Sequence, residues 1–320
     1  MRFKLDPTIG DYIFVTRPTL FFPVWTIFLV GYLIPYLKPG NWWLPFSATV
    51  SGDLWSDHTI SIGVLLTLLC GGIFILNQIQ DVVSDGENNK LFIIANGYIS
   101  RRAAYIEATL LISIALGLTL FINWYQTILF MLLFLIAGWA YSFPPFNCKD
   151  KPLPGLFSNA LTGLFVFSIG WCLREAISTR LFQHALTYLL AISTVYLYTT
   201  IPDRRGDAKA GKITFSVKFG QKKTTFLALW LGVGALWAAY WAKDWLMLIA
   251  TIISLPFFIK VYLTQKMSDL SFATKLPILF LSLAVCWKIP YYFFVILLVF
   301  WGARWYYRAR FNLNYPRFSN

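Results

Sequence analysis

Residues 59–85 read TISIGVLLTLLCGGIFILNQIQDVVSD. The first 22 of these carry no charge, and a helix that crosses a bilayer needs roughly 20 apolar residues. The run leads directly into Asp81 and Asp85. That i, i+4 spacing puts both carboxylates on one face of a helix, one turn apart, where they repel unless something positive sits between them. The pattern recurs once. The uncharged run 185–202 leads into Pro202-Asp203-Arg204-Arg205-Gly206-Asp207, again with two aspartates four residues apart. The chain has only 14 acidic residues, and four of them stand in these two clusters.

Composition agrees with a membrane reading. The 320 residues are 58% hydrophobic, 19% aromatic and 13% charged, against about 25% charged in a soluble domain. The segment Met1 to Arg17 mixes polar and apolar residues and predicts no cleavable signal peptide. Net charge is +13, most simply the excess of Lys and Arg in the cytoplasmic loops of a membrane protein. The basic residues are divided among short loops and do not form one surface, which argues against nucleic acid. Cys70, Cys148, Cys172 and Cys286 are scattered, and His58 and His184 are far apart, so no zinc, disulfide or His-based catalytic spacing is present.

Apolar runs fall at about 18–37, 59–80, 103–122, 125–146, 155–173, 185–202, 224–242 and 245–264. Residues 270–287 and 289–307 follow, separated by Lys288, with Lys275 inside the first. The expected architecture is an all-α polytopic membrane protein of nine or ten spans forming one domain over 1–320. Lys90, Arg101 and Arg102, then Lys149 and Lys151, then the seven basic residues of 204–223 share one side by parity with Arg2 and Lys4. Those loops are assigned to the cytoplasm. Arg304, Arg308 and Arg310 argue for a cytoplasmic C-terminus and an even count.

Carboxylates at a membrane helix are costly and mark functional sites by default. Oxygen-only ligands suit a hard cation. Mg²⁺ takes one or two carboxylates and leaves its other positions to water and substrate phosphates. Asn77 extends the first stripe by a turn, and Pro202 and Gly206 predict a bend or an end of the second helix that turns Asp203 and Asp207 inward. Two such clusters beside Lys and Arg form a receptor for a diphosphate, and at a lipid boundary for a lipid diphosphate. For one cluster, an interfacial acid paired with nearby Arg or Lys is an equal alternative; two at matched positions weaken it.

These residues resemble the UbiA-type superfamily of intramembrane prenyltransferases. Its NDxxDxxxD pattern stands here as Asn77-Gln78-x-x-Asp81-x-x-x-Asp85, and its DxxGD pattern as Asp203-x-x-Gly206-Asp207. Tyr141-Ser142-Phe143-Pro144-Pro145 with Lys149 resembles the YSxPP…K segment. Arg17-Pro18 opens the first helix, and Lys209-Ala210-Gly211-Lys212-x-Thr214 resembles the AGKxT stretch. The resemblance implies nine helices around a central, lipid-open cavity. It implies Mg²⁺-dependent transfer of an isoprenoid chain from a polyprenyl diphosphate, such as geranylgeranyl diphosphate, to a lipophilic acceptor. It assigns Asn77, Asp81, Asp85, Asp203 and Asp207 to the metal–diphosphate unit and Lys149 to the diphosphate, with Lys209 as a helper. Asp81, Asp203 and Lys149 would be the catalytic groups.

Three departures stand out. Gln78 replaces the family's first acidic residue, the stretch 88–97 lacks the family's RPxRPIPSG text, and Thr199-Thr200 replaces a common Lys-Asp while Tyr196 is kept. The last weakens the case for a hydroxybenzoate- or naphthoate-type acceptor. An allylic cation would need an aromatic cage, for which Tyr141, Tyr196 and Tyr198 are candidates. Arg17 is either a substrate contact or an interfacial cation, and Glu107 either a polar partner or an acceptor contact. Two other classes compete. A CDP-alcohol phosphotransferase would need both acidic pairs in one helix–loop segment, whereas Asp81 and Asp203 are 122 residues apart. A cation-coupled transporter would need acids near the membrane midplane.

Overall fold

The computed structural model describes residues 6–37, 42, 58–87 and 92–315. Arg2, Lys4, Lys90, the stretch 88–91 and most of the loop 38–58 lie outside the described residues. Among the described residues every regular element is helical. A short helix α1, Ile9–Val15, precedes α2, Phe21–Leu33. Then come α3, Thr59–Gln80, the short α4, Val82–Glu87, and α5, Phe92–Ala95. The rest are α6, Arg101–Thr119; α7, Trp124–Leu133; α8, Pro152–Trp171; α9, Thr179–Lys209; α10, Phe215–Ala242; α11, Trp245–Thr264; α12, Met267–Lys288; and α13, Pro290–Phe311.

Eight helical stretches among the described residues are long and apolar enough to cross a membrane. Trp124–Ala140 is a shorter apolar helix, and α13 adds 22 residues. The chain is thus an all-α multi-pass membrane protein, and the ambiguous region 270–307 resolves into two helices broken at Ile289-Pro290. Their surfaces show why lipid suits them. Trp230, Trp237, Tyr240 and Trp241 on α10 are all more than half exposed.

Several boundaries differ from expectation. Helix α9 does not end at Pro202 but continues to Lys209 with the proline inside it. A proline is tolerated there because neighbouring groups in a bundle satisfy the freed backbone positions. Asp203 and Asp207 therefore project from the last turns of a continuous helix. Helix α7 gives way to a π-helical stretch, Phe134–Ala140, just before Tyr141. Helix α10 begins at Phe215, nine residues earlier than its apolar run, and kinks at Gly220, where φ is +80°.

The bundle is a ring. Helix α2 packs on α8, α8 on α9, α9 on α10, α10 on α11 and α11 on α12, and α12 returns to α2. Helix α3 sits beside α2 with α6 against it. The α2–α8 contact is unusually close. A Cβ built on Gly31 would fall 2.1 Å from the Phe167 carbonyl oxygen, and one on Gly170 would fall 2.0 Å from the Phe28 carbonyl oxygen. Small residues let membrane helices approach to this degree, where dispersion replaces the missing hydrophobic drive.

Helix α13 fastens the N-terminus. Asp11 of α1 is fully buried. It accepts a hydrogen bond from Tyr306 and pairs with Arg310 Nη2 at 3.0 Å. Phe14 stacks on Tyr306 with ring centroids 3.9 Å apart. The basic end of α13 and the N-terminal helix thus share one end of the bundle.

Two stability predictions follow from these contacts. Gly170→Ala forces a methyl group into the Phe28 backbone and should destabilise by about 1–3 kcal/mol, read as a lower Tm in detergent. Arg310→Met strands a buried carboxylate and should cost about 3 kcal/mol. Adding Asp11→Asn to that variant should recover part of the loss.

Candidate functional site

The ring encloses a cavity of about 1010 Å³. One end is charged and the rest is largely apolar. Asn77, Asp81 and Asp85 line it from the end of α3 and from α4, and Asp203 and Asp207 from the last turns of α9. The two clusters, 122 residues apart in sequence, meet at one site. Arg17, Tyr141, Lys149 and Tyr196 line the same cavity. Of the residues singled out from sequence, Lys209 is exposed and outside the wall, and Tyr198 and Glu107 do not line it either. Tyr198 is fully buried against Phe258.

The first cluster is not one straight helix. Helix α3 closes at Asp81, whose N–H donates to the Asn77 carbonyl at 3.0 Å. Asp85 N–H then donates to the Asp81 carbonyl at 2.8 Å, so the i, i+4 register survives the break. Gln78, the departure from the family pattern, points elsewhere. It is buried and donates to the Val15 carbonyl at 2.7 Å. It ties α3 to the end of α1, two residues before Arg17. Arg17 itself adopts a left-handed conformation with φ +59°, turning the chain from α1 into the Pro18–Leu20 turn that opens α2.

Asp81 is the electrostatic centre. Its Oδ1 lies 2.7 Å from Lys149 Nζ and 2.5 Å from Lys212 Nζ, with all three side chains at most 15% exposed. Lys149 stands on a single 3₁₀ turn, Cys148–Asp150, that starts after Asn147 at φ +40°. Asparagine is among the few residues that accept this backbone readily. Lys212 arrives because Gly211, at φ +76°, turns the chain back after α9. Lys209 precedes that turn and faces away. The two lysine loops are joined: Ile213 N–H donates to the Asp150 carbonyl at 3.0 Å. The Thr214 hydroxyl donates to Asp207 Oδ2 at 3.3 Å.

Burial pulls the Lys149 ammonium below the ordinary lysine range, and Asp81 opposes that shift. Lys212 is also disfavoured by burial, but Asp81 and Asp150 outweigh it and hold its affinity for the proton above the usual value. Burial raises the Asp150 carboxyl, with both lysines opposing. Beside this group, Tyr141 meets Asn159 and Tyr196. Gly155 makes room for Tyr196: a Cβ there would come within 2.4 Å of the tyrosine hydroxyl. Away from the acidic end the cavity is lined by Tyr188, Met247 and Ala250, with Tyr188 donating to Asp244 Oδ2 at 2.7 Å.

The donor set also bears on a metal. The four carboxylates and the Asn77 amide of the two clusters line the site from two directions. Among the described residues, no three His, Cys, Asp or Glu side chains gather closely enough to hold an ion alone. The side chains of both clusters offer only oxygen ligands. That fits Mg²⁺, which draws its remaining ligands from water and phosphate oxygens.

Known proteins share this arrangement of helices. A UbiA homologue from Archaeoglobus fulgidus, solved bound to DMAPP and Mg2+, superposes with a TM-score of 0.70 at 19% identity, covering 90% of this chain and 99% of that one. A UbiA homologue from Aeropyrum pernix K1 gives 0.64 at 17% identity over 88% of this chain and 99% of that one. A digeranylgeranylglyceryl phosphate synthase gives 0.61 at 20% identity over 87% of this chain and 98% of that one. In sequence, the bacteriochlorophyll synthase 34 kDa chain of Chloroflexus aurantiacus is 27% identical over 205 residues, 59% of this chain and 64% of that protein, just under two thirds of its length. The profile of the UbiA prenyltransferase family matches residues 24–284, from α2 through most of α12, and the chain belongs to that family.

Proposed function

We propose that the protein is a single-domain, Mg²⁺-dependent intramembrane prenyltransferase. It moves an isoprenoid chain from a polyprenyl diphosphate, such as geranylgeranyl diphosphate, to a lipophilic acceptor. The observation that carries this reading is the convergence of two acidic clusters and two buried lysines at one end of an otherwise apolar cavity. An allylic diphosphate has the same polarity, with a charged head and an apolar tail. The A. fulgidus homologues solved with GPP or DMAPP and Mg2+ support it by family likeness.

In this reading Asn77, Asp81, Asp85, Asp203 and Asp207 hold the metal–diphosphate unit. When bound, Mg²⁺ would neutralise the carboxylates and polarise the diphosphate. Lys149 and Lys212 supply ammonium donors to the diphosphate oxygens, and Arg17 borders the same end. The allylic C–O bond breaks as negative charge moves onto the diphosphate, which these cations stabilise. A new bond forms from the allylic carbon to the acceptor's nucleophilic atom, which gives up its proton as diphosphate leaves. Tyr141 and Tyr196 border the site where positive charge develops, and cation–π contact with a desolvated ring is worth ~2 kcal/mol. The apolar walls exclude water that would otherwise capture the allylic centre.

The basic segments 149–151 and 204–223 stand at the acidic end, so the excess of Lys and Arg on cytoplasmic loops supports a site that opens to the cytoplasm. Donor and acceptor would arrive through the bilayer.

Purified protein in nanodiscs should release diphosphate from labelled geranylgeranyl diphosphate when Mg²⁺ is present, and chelation should stop it. Asp81→Asn and Asp203→Asn should each lower the rate by at least about 10²-fold; Tm should stay nearly unchanged in Asp203→Asn and fall in Asp81→Asn, which leaves two buried ammoniums without their shared carboxylate. Lys212→Met should lower it about 10-fold or more, while Lys209→Met should have little effect. Full turnover in Asp81→Asn would remove the metal-site assignment. Donor uptake into vesicles without diphosphate release would favour a transporter instead.

A further inference from the structure

Lys275 lies within the apolar helix α12, far from either acidic cluster in sequence. Ser271, Thr274, Lys275 and Ile278 all line the cavity. Spacings of three, four and seven put them on a single stripe of the helix. Lys275 is eight residues past the helix start, about 12 Å along it at 1.5 Å per residue. That start adjoins the end of the bundle bearing the acidic clusters, since Gln221 near the beginning of α10 donates to the Gln265 carbonyl at 2.7 Å. A charged side chain this far along a membrane helix is expensive and marks an internal function.

The lysine comes from a different wall than Lys149 and Lys212. Helix α12 completes the ring between α11 and α2. The cavity-lining residues of the adjoining α2, Pro23, Val24 and Ile27, and Leu20 just before it, are all apolar. The Thr274 hydroxyl donates to the Leu270 carbonyl at 2.9 Å, so it has no proton for a ligand. The stripe thus presents the Lys275 ammonium, with its three N–H groups, and the Ser271 hydroxyl to a largely apolar stretch of the cavity. That is the complement of an anion carried on a hydrocarbon body. The diphosphate end already has Arg17, Lys149 and Lys212.

We propose that Lys275, with Ser271, is a second anion-binding point of the cavity and receives the acidic headgroup, phosphate or carboxylate, of the lipophilic acceptor. The proposal deepens the prenyl-transfer reading and rests on it.

Occupancy is testable without knowing the acceptor. Protein in nanodiscs, saturated with Mg²⁺ and unreactive geranylgeranyl thiolodiphosphate, is titrated with hexadecyl phosphate, palmitate and hexadecanol, and Tm is followed. One or both of the anionic probes should raise Tm and hexadecanol should not; which anion binds more tightly identifies the headgroup. Lys275→Met should weaken the anionic probe about tenfold, Lys275→Arg should restore most of it, and affinity for the thiolodiphosphate should stay unchanged in both. Three results would overturn the proposal: equal binding of hexadecanol, undiminished anion binding in Lys275→Met, or displacement of the thiolodiphosphate by the anionic probe. Absence of diphosphate release from any prenyl diphosphate by the wild type would instead defeat the prenyl-transfer reading, while the titration would still report on Lys275.

Discussion

A carboxylate taken out of water must be neutralised, and Asp81 is neutralised by two lysines that come from different parts of the chain. Lys149 arrives on the turn after the π-helical stretch, and Lys212 on the turn after α9. Both ammoniums rest against Asp81, with Asp150 also near Lys212, and each charge offsets the burial cost of the others. One charge balance therefore holds three segments in register. The backbone bond from Ile213 to Asp150 and the contact of Thr214 with Asp207 extend that register to the second acidic cluster. Its positive groups are gathered at one end of the cavity, where the proposed diphosphate would need them.

The rest of the cavity follows from the opposite constraint. Its walls are apolar helix stripes, and close packing at Gly31 and Gly170 draws α2 and α8 together so that the ring closes. Away from the acidic end its lining includes the Tyr188 ring, stacked on Phe167 and held by Asp244. A charged end and a largely apolar remainder in one space suit the two halves of an amphiphile.

Much of this was legible in the sequence. Uncharged runs located the helices because a bilayer imposes a minimum apolar length, and α3 spans the residues its run predicts. The two acidic clusters identified the site because charges are rare in such a chain. What sequence missed depends on tertiary context. Pro202 reads as a bend or an end of the helix, and the bundle carries α9 through it to Lys209. Lys209 and Lys212 differ by three residues, and only the left-handed turn at Gly211 decides which one enters the cavity. Gln78 reads as a departure from the family's first acidic residue, and its amide is engaged with the end of α1. Lys275 is visible as a charge in an apolar run, but the face it takes depends on how α12 is rotated against α11 and α2. The π-helical segment before Tyr141 has no signature in local propensity.

The clasp between α13 and α1 lies wholly beyond the matched family region, 24–284. It nevertheless reaches the site, because Asp11 holds α1, and α1 ends beside Gln78 and Arg17. Positions 11, 78 and 310 thus form one structural unit. A lineage that loses Arg310 is left with a buried, uncompensated aspartate at position 11, so the two should be gained and lost together. Among related sequences, that linked pair would separate chains with a thirteenth helix docked in this way from those that end after the twelfth.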